Sequence, residues 1–234
     1  MSQTGPPYPE GRNLLAGKTV LVTAAAGSGI GFATARRCLE EGASVMISDS
    51  HERRLGKAAD ELMKIDGKRP ASRLCNVTVE ADVRALVKAA LDQLGRIDVL
   101  INNAGLGGTV NVVDMTDEQW HTVLDVTLTG TFRMTRAVLP HMLERRAGVM
   151  ALTRCSALEA ADSGVRINAV APSLATHEFL TKVMPQELLD KLTQREAFGR
   201  GAEPWEVANV IVFLASDYSS YMTGECVAVS NQHA

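Results

Sequence analysis

Short apolar runs alternate with helix-patterned stretches along the first half of this chain, and that alternation leaves few ways to fold. "KTVLVT" (18–23) is a β-branched apolar run ending in small residues and glycine, the pattern of a buried strand. "GFATARRCLEEG" (31–42) follows, with Phe32, Ala35 and Leu39 on one helical face and Gly42 as the stop. The same reading predicts strands over 44–49, 72–77 and 97–105, and helices over 51–67 and 80–95. Thr116, with Gln119 three residues on, has capping-box spacing and opens a long helix running to about Arg146. Strands joined in turn by helices pair in parallel through right-handed crossovers, with helices on both faces. The expected fold class is therefore α/β, a doubly wound parallel sheet.

After Arg146 the rhythm changes. Val149 to about Ala161 reads as helix, and only then does a strand pattern appear, over 165–172. A helix pair is predicted within 181–194, a firm helix over 203–216 with Pro204 in its first turn, and a last strand over 225–230. Residues 1–13 are rich in Pro, Gly and polar side chains and read as a flexible tail. Residues 14–234 read as one domain. No apolar run approaches the ~20 residues needed to cross a bilayer. A formal charge of −3 gives no reason to expect nucleic acid or an anionic membrane as partner. Cys38, Cys75, Cys155 and Cys226 are scattered in apolar or helical contexts, as small core residues in a reducing compartment, neither a disulfide set nor a metal set. The cytoplasm is the expected location.

"TAAAGSGIG" (23–31) joins the first strand to the first helix. Gly27, Gly29 and Gly31 permit a tight turn and a close approach to the backbone. With Ser28 and Ile30 they form a cradle in which free N–H groups at the helix start meet a pyrophosphate. Asp49 ends the second strand about 20 residues further on, where a carboxylate accepts hydrogen bonds from both adenosine ribose hydroxyls. It repels a 2′-phosphate, which favours NAD over NADP, whereas Arg53 and Arg54 argue for the phosphate. A solvated strand-end carboxylate is the plain alternative for Asp49.

With "NNAG" (102–105) the chain resembles the short-chain dehydrogenase/reductase family, close to its 3-oxoacyl-carrier-protein-reductase-like members. The other carriers are "TAAAGSGIG", "CNVT" (75–78), "TLTGTF" (127–132), "VRINAVAPS" (165–173) and "FLASDYSSYMTGE" (213–225). The resemblance implies a Rossmann-type sheet and a homo-oligomer, a tetramer or dimer, contacted through 203–216 and the last strand. It implies that Asn76 and Val77 contact adenine, and that Asn103, Ala104 and Gly105 flank the nicotinamide ribose. Pro172 to His177, with Ala175 between them, would cover the carboxamide, and 181–194 would form a substrate lid. Asn102 reads as structural, and a purely fold-stabilising turn is the alternative for the whole "NNAG" stretch. Three departures stand out. The turn is one residue longer than TGxxxGxG and has Ala24 where glycine is common. Thr127 occupies the place of an Asn that serves a proton relay. His177 stands where Thr is frequent.

The family's chemistry needs a Ser and a Tyr-x-x-x-Lys. Hydride moves between nicotinamide C4 and a carbonyl carbon, while a tyrosine, its pKa of ~10 lowered by a lysine, handles the proton on oxygen. Four residues beyond Tyr8, Tyr218 and Tyr221 lie Arg12, Met222 and Glu225, so the motif is absent. "ERRAG" runs straight into "VMALTR". Set against the family it resembles, the chain lacks the fifth strand, the serine loop and the start of the catalytic helix, roughly 25–30 family residues, more than the dozen or so of a minimal crossover. Ser156 and His121 have no motif support as stand-ins, and His121 reads as an exposed helix residue. Losing an inner strand exposes two backbone ladders, at about 1–3 kcal/mol per unpaired buried group, against a total stability of about 5–15 kcal/mol. Either the working protein carries a segment that this sequence omits, or the chain is a true deletion product.

Three functions follow as expectations. The first is an NAD(P)(H)-dependent oxidoreductase, NAD before NADP, interconverting a secondary alcohol and a ketone such as a 3-hydroxyacyl/3-oxoacyl thioester or an alicyclic ketone. The second is a non-catalytic dinucleotide-binding deletion product of such an enzyme. The third is a different nucleotide-binding protein with unrecognised chemistry. A small-molecule substrate is the expected partner, with no metal.

Overall fold

Every residue of β1 (Thr19–Val22) is buried, so the strand has to be covered on both faces. A computed structural model describes residues 6–106, 110, 112–143, 149–150, 157 and 160–231. In it β1 lies between β2 (Ser44–Asp49) and β4 (Val99–Ile101). β3 (Ala71–Leu74) pairs with β2, and β5 (Val149–Met150) with β4, giving a parallel sheet in the order 3-2-1-4-5. β6 (Ala169–Pro172) and β7 (Cys226–Val229) form a separate parallel pair. The helices are α1 (Ile30–Glu40), α2 (Glu52–Asp66), α3 (Glu80–Leu94), α4 (Asp117–Leu124), α5 (Gly130–Leu143), α6 (Glu178–Val183), α7 (Gln186–Arg195) and α8 (Pro204–Ala215).

Alternation along the strands splits the core in two. Val20, Val22, Val45, Ile47, Val99 and Ile101 pack with α1, α2 and α8. Leu21, Met46 and Leu100 point the other way, against α3 and α5. The doubly wound α/β sheet expected from the sequence is therefore what forms. Gly67 ends α2 at φ 76°, a left-handed position where glycine carries no Cβ penalty. The capping box at Thr116 forms as read: its hydroxyl accepts from Gln119 N, and Gln119 Oε1 accepts from Thr116 N. The long helix it opens passes through a π-turn at Asp125–Thr129 before α5, and its expected end at Arg146 lies outside the described residues.

Four expectations change. Val149 and Met150, read as helix, form β5, with Val149 paired to Leu100 and Met150 to Ile101. The fifth-strand position is thus filled, by two residues, and not left vacant. The reason is that buried strand β4 has backbone groups needing partners, and this outweighs the helix propensity of "VMAL". The sheet breaks one step later, because β6 pairs with β7 and not with β5. The strands predicted over 72–77, 97–105 and 165–172 are shorter than their apolar patterns. Ahead of β6, Ile167 N donates to Thr223 Oγ1 in place of a strand partner, and the side chains of Arg166 and Asn168 fasten the same region, Arg166 donating to Ser216 O and Ser219 O and Asn168 Nδ2 to Met222 O. Finally, Cys226 is exposed on β7, whereas Cys38 and Cys75 are buried as expected, and Cys155 lies outside the described residues.

Residues 6–13 have no regular secondary structure but lie against α1 and α8. The Tyr8 ring meets Trp205 edge-on at 5.3 Å and stacks under the Arg36 guanidinium, and its hydroxyl donates to Glu40 at 2.6 Å. Burial and Glu40 push the Tyr8 phenol up to about 12. Beneath this cap the Glu41 carboxylate, 1% exposed, accepts from Arg12 N at 2.8 Å, Leu14 N at 3.0 Å and the Arg37 guanidinium. Replacing Arg37 by Met leaves that carboxylate without its counter-charge. Urea unfolding should show a loss of about 3–5 kcal/mol.

Candidate functional site

The chain leaves β1 at Val22 and enters α1 at Ile30 through the glycine turn. Gly29 is the N-cap residue, no side chain caps the helix, and its first turn holds no acid. The first-turn N–H groups are therefore left for an anion. Gly27 sits at φ 124°, which L side chains rarely adopt, and Ala24 at φ 50°. A Cβ on Gly31 would fall on Asn103 Nδ2 and Ala24 O, so this glycine is where the helix start meets the end of β4.

Asp49 stands at the end of β2 beside this turn, 6% exposed. Its Oδ1 accepts from His51 N at 2.9 Å and its Oδ2 from Ala26 N at 3.3 Å. Arg54 reaches within 3.5 Å of Oδ1. A cleft of about 820 Å³ lies over the turn, lined also by Asp49, Arg54 and Lys57 and by His177 and Lys182. A second, mainly apolar cleft of about 780 Å³ opens between the end of β4 and β6, with Val207 and Ile211 of α8 among its walls. Ile30, Asn103 and Gly105 line both.

An adenine dinucleotide fits the first cleft on this chemistry: a glycine turn, uncommitted helix N–H groups and a carboxylate at the next strand end. Gly27, Ser28, Gly29, Ile30, Gly31, Asp49, Asn103, Gly105 and His177 all line it. Ala104, Thr127 and Pro172 line the second cleft instead. Three residues named from the sequence line neither. Val77 is buried against Gly130, where a Cβ would strike its side chain. Asn76 Oδ1 accepts from Thr78 N and Thr78 Oγ1, closing its own turn. Ala175 is buried in a bridge to Ala202. Thr127 Oγ1 accepts from Leu106 N at 3.1 Å and so holds the loop after "NNAG". Asn102 Nδ2 donates to Thr135 at 3.2 Å, a structural contact. His121 is exposed, and Ser156 lies outside the described residues. Sequence reasoning passed over Thr23, whose hydroxyl accepts from Asn103 N and Ala104 N, and Lys57 on the cleft wall. Thr23 was inside the quoted motif; nothing in the letters marked Lys57.

Among the described residues no tyrosine lines either cleft, and no group of His, Cys, Asp and Glu is placed to hold a metal. Tyr218 and Tyr221 are exposed beyond α8. Residues 18–150 match the family model described as short chain dehydrogenase, and 141–231 that described as Enoyl-(Acyl carrier protein) reductase. The chain belongs to the short-chain dehydrogenase/reductase family. It is 55% identical, over 250 aligned positions covering 95% of each chain, to a (5R,7aS)-5-hydroxy-7a-methyl-1-oxo-2,3,5,6,7,7a-hexahydro-1H-indene-carboxyl-CoA reductase of Mycobacterium tuberculosis. It is 35% identical to a 3-oxoacyl-[acyl-carrier-protein] reductase of Thermotoga maritima, covering 92% of this chain and 97% of that one. A short chain dehydrogenase structure from Mycobacterium smegmatis superposes with a TM-score of 0.85 at 48% identity, covering 99% of both chains. A 7α-hydroxysteroid dehydrogenase complexed with NADH and 7-oxo glycochenodeoxycholic acid superposes at 0.85 with 26% identity, covering 94% of this chain and 95% of that one. Homologues in the family are oxidoreductases of secondary alcohols and ketones that use nicotinamide dinucleotides.

Ala24 tests the turn directly. An L residue in the left-handed region costs about 1–2 kcal/mol, of which glycine's greater unfolded-state entropy returns about 0.5–1. Ala24→Gly should therefore raise the unfolding free energy by up to about 1 kcal/mol in a urea titration.

Proposed function

We propose that this fold serves hydride transfer between NAD(H) and a secondary alcohol or ketone on an alicyclic or acyl-thioester substrate. The carrying observation is the glycine cradle with Asp49 at the neighbouring strand end. The nicotinamide ring supplies or takes the hydride. The residues of this chain hold the two phosphates, engage the adenosine ribose through Asp49 and flank the nicotinamide ribose with Asn103 and Gly105. Asp49 favours NAD over NADP, because its carboxylate opposes a 2′-phosphate. The 3.5 Å approach of Arg54 engages that cation with Asp49. The apolar second cleft suits a ring system, as do the fused-ring thioester and steroid named for the relatives.

A second reading is that the 234-residue chain binds the dinucleotide without turning substrate over. The lack of tyrosine at either cleft favours it. So does the alignment with the Mycobacterium tuberculosis reductase, whose 250 positions exceed the 234 residues of this chain and imply an internal segment that the relative has in addition. The two family models overlap only at 141–150, where the sequence reading places the loss. We further propose a cytoplasmic homo-oligomer, in keeping with the unpaired buried thiols of Cys38 and Cys75 and the exposed Trp120, Leu128, Phe132 and Phe213.

Fluorescence titration of the purified 234-residue chain should give tighter binding of NADH than of NADPH. Asp49→Ala should weaken NADH by about tenfold or more and narrow the difference, as expected for losing hydrogen bonds to a charged group. Reduction of NAD⁺ by this chain with a panel of alicyclic secondary alcohols would remove the non-catalytic reading, and binding without turnover would support it. No binding of either nucleotide would remove both. An intact mass above 25.1 kDa would show that the working protein carries the additional segment.

A further inference from the structure

Residues 8–14 bridge the last turn of α1 and the first turn of α8. The Tyr8 ring meets Trp205 edge-on at 5.3 Å, and the guanidinium groups of Arg36 and Arg37 lie 4.8 Å and 5.5 Å from its centre. Arg37 Nη1 donates to Pro9 O at 3.0 Å, and the buried Glu41 carboxylate takes Arg12 N and Leu14 N. A Cβ on Gly11 would fall on Glu40 O, so the segment lies as close to the end of α1 as a bare backbone can.

The contact with Trp205 reaches the site through α8. Trp205 and Val207 are two positions apart, about 200° round a helix, and Ile211 lies one turn beyond Val207. One face of α8 therefore meets Tyr8, while the opposite face puts Val207 and Ile211 into the wall of the second cleft. Both are buried, in one cluster with Ala35 and Cys38 of α1. The same cleft is lined by Ile30, the first residue of α1, so α1 touches the cleft at its start and residues 8–14 at its end. Arg200 also holds the first turn of α8, through bonds of 2.6 Å and 2.8 Å to Glu206. Loss of the Tyr8 contact would therefore loosen this turn without releasing it.

We propose that the Tyr8–Trp205 contact is a latch: residues 8–14 hold the first turn of α8 against α1, and Tyr8 is thereby a positioning residue for the Val207 and Ile211 wall of the second cleft. The latch is independent of which ligand the first cleft takes.

A thiol introduced by Ile211→Cys reports on that wall, with its iodoacetamide labelling rate read by mass spectrometry of the peptide that carries it. In this background Tyr8→Ala should speed labelling by about fivefold or more, the loss expected for one aromatic pair and a cation–π contact. Hydrogen exchange over 208–212 should speed by a similar factor, while exchange over α3, which lies across the sheet, stays unchanged. Tyr8→Phe keeps the ring and loses only the bond to Glu40, and should behave as the unaltered chain. Trp205→Leu removes the same contact from the side of α8. It should reproduce the effect, including where Tyr8→Ala fails to fold, and the double variant should label no faster than either single one. Unchanged labelling and exchange in Tyr8→Ala overturn the proposal. So does equal acceleration over α3, which would mark a general loss of stability, and so does an additive effect in the double variant.

Discussion

The carboxyl ends of β1 and β4 are stitched together by Thr23 and Asn103, and both clefts are built around that junction. The Thr23 hydroxyl accepts from Asn103 N at 3.0 Å and Ala104 N at 3.1 Å, and donates to Ile101 O. Asn103 Nδ2 returns two bonds, to Thr23 O and Ala24 O. Where a parallel ladder ends, backbone donors and acceptors would otherwise lie unpaired, and here side chains complete it. The same bonds set where Ala24 and Gly31 stand and so give the glycine turn its shape. A doubly wound sheet offers ligands the crevice beyond its strand carboxyl ends, and this junction forms the floor of it.

The two clefts rest on separable parts of this architecture. The glycine-turn cleft rests on β1, β2, β4 and α1, all packed within the core cluster that α2 and α8 close. The sheet breaks farther out, between the two-residue β5 and β6. The apolar second cleft opens in that break, flanked by Ile101 and Asn102 on one side and Asn168 to Val170 on the other. A change confined to the far half of the sheet leaves the cradle with its supports, because contacts that hold Gly27, Asp49 and Asn103 come from before residue 106.

The four leading strands and three leading helices were legible because each carries a local signature: a short strand-forming run, a 3.6-residue apolar face, a left-handed glycine after the helix. The glycine turn and the place of Asp49 beside it were legible for a related reason, since the turn, the helix start and the strand end each show in a few adjacent residues. Val149 and Met150 were misread because a two-residue strand has no period to detect, and only β4 alongside makes it one. Asn76 and Val77 were placed at the adenine by resemblance, while the fold turns Val77 into the core under Gly130. The length of β6 was overestimated because the backbone before it meets the turn preceding β7: Ile167 N donates to the Thr223 hydroxyl and Ile167 O accepts from Gly224 N.

By itself the sequence determined the α/β alternation, the glycine turn with its acidic partner, the family and the lack of a Tyr-x-x-x-Lys. All of these are matters of residue type at short spacing, where sterics and hydrogen-bond capacity act locally. Only the tertiary structure decided which strand fills the fifth position, where the sheet breaks, that Thr23 locks the "NNAG" turn, and that Tyr8 meets Trp205 at the start of α8. Those outcomes depend on which backbone groups and side chains from distant parts of the chain are left needing partners once the core has closed, and no local pattern encodes that.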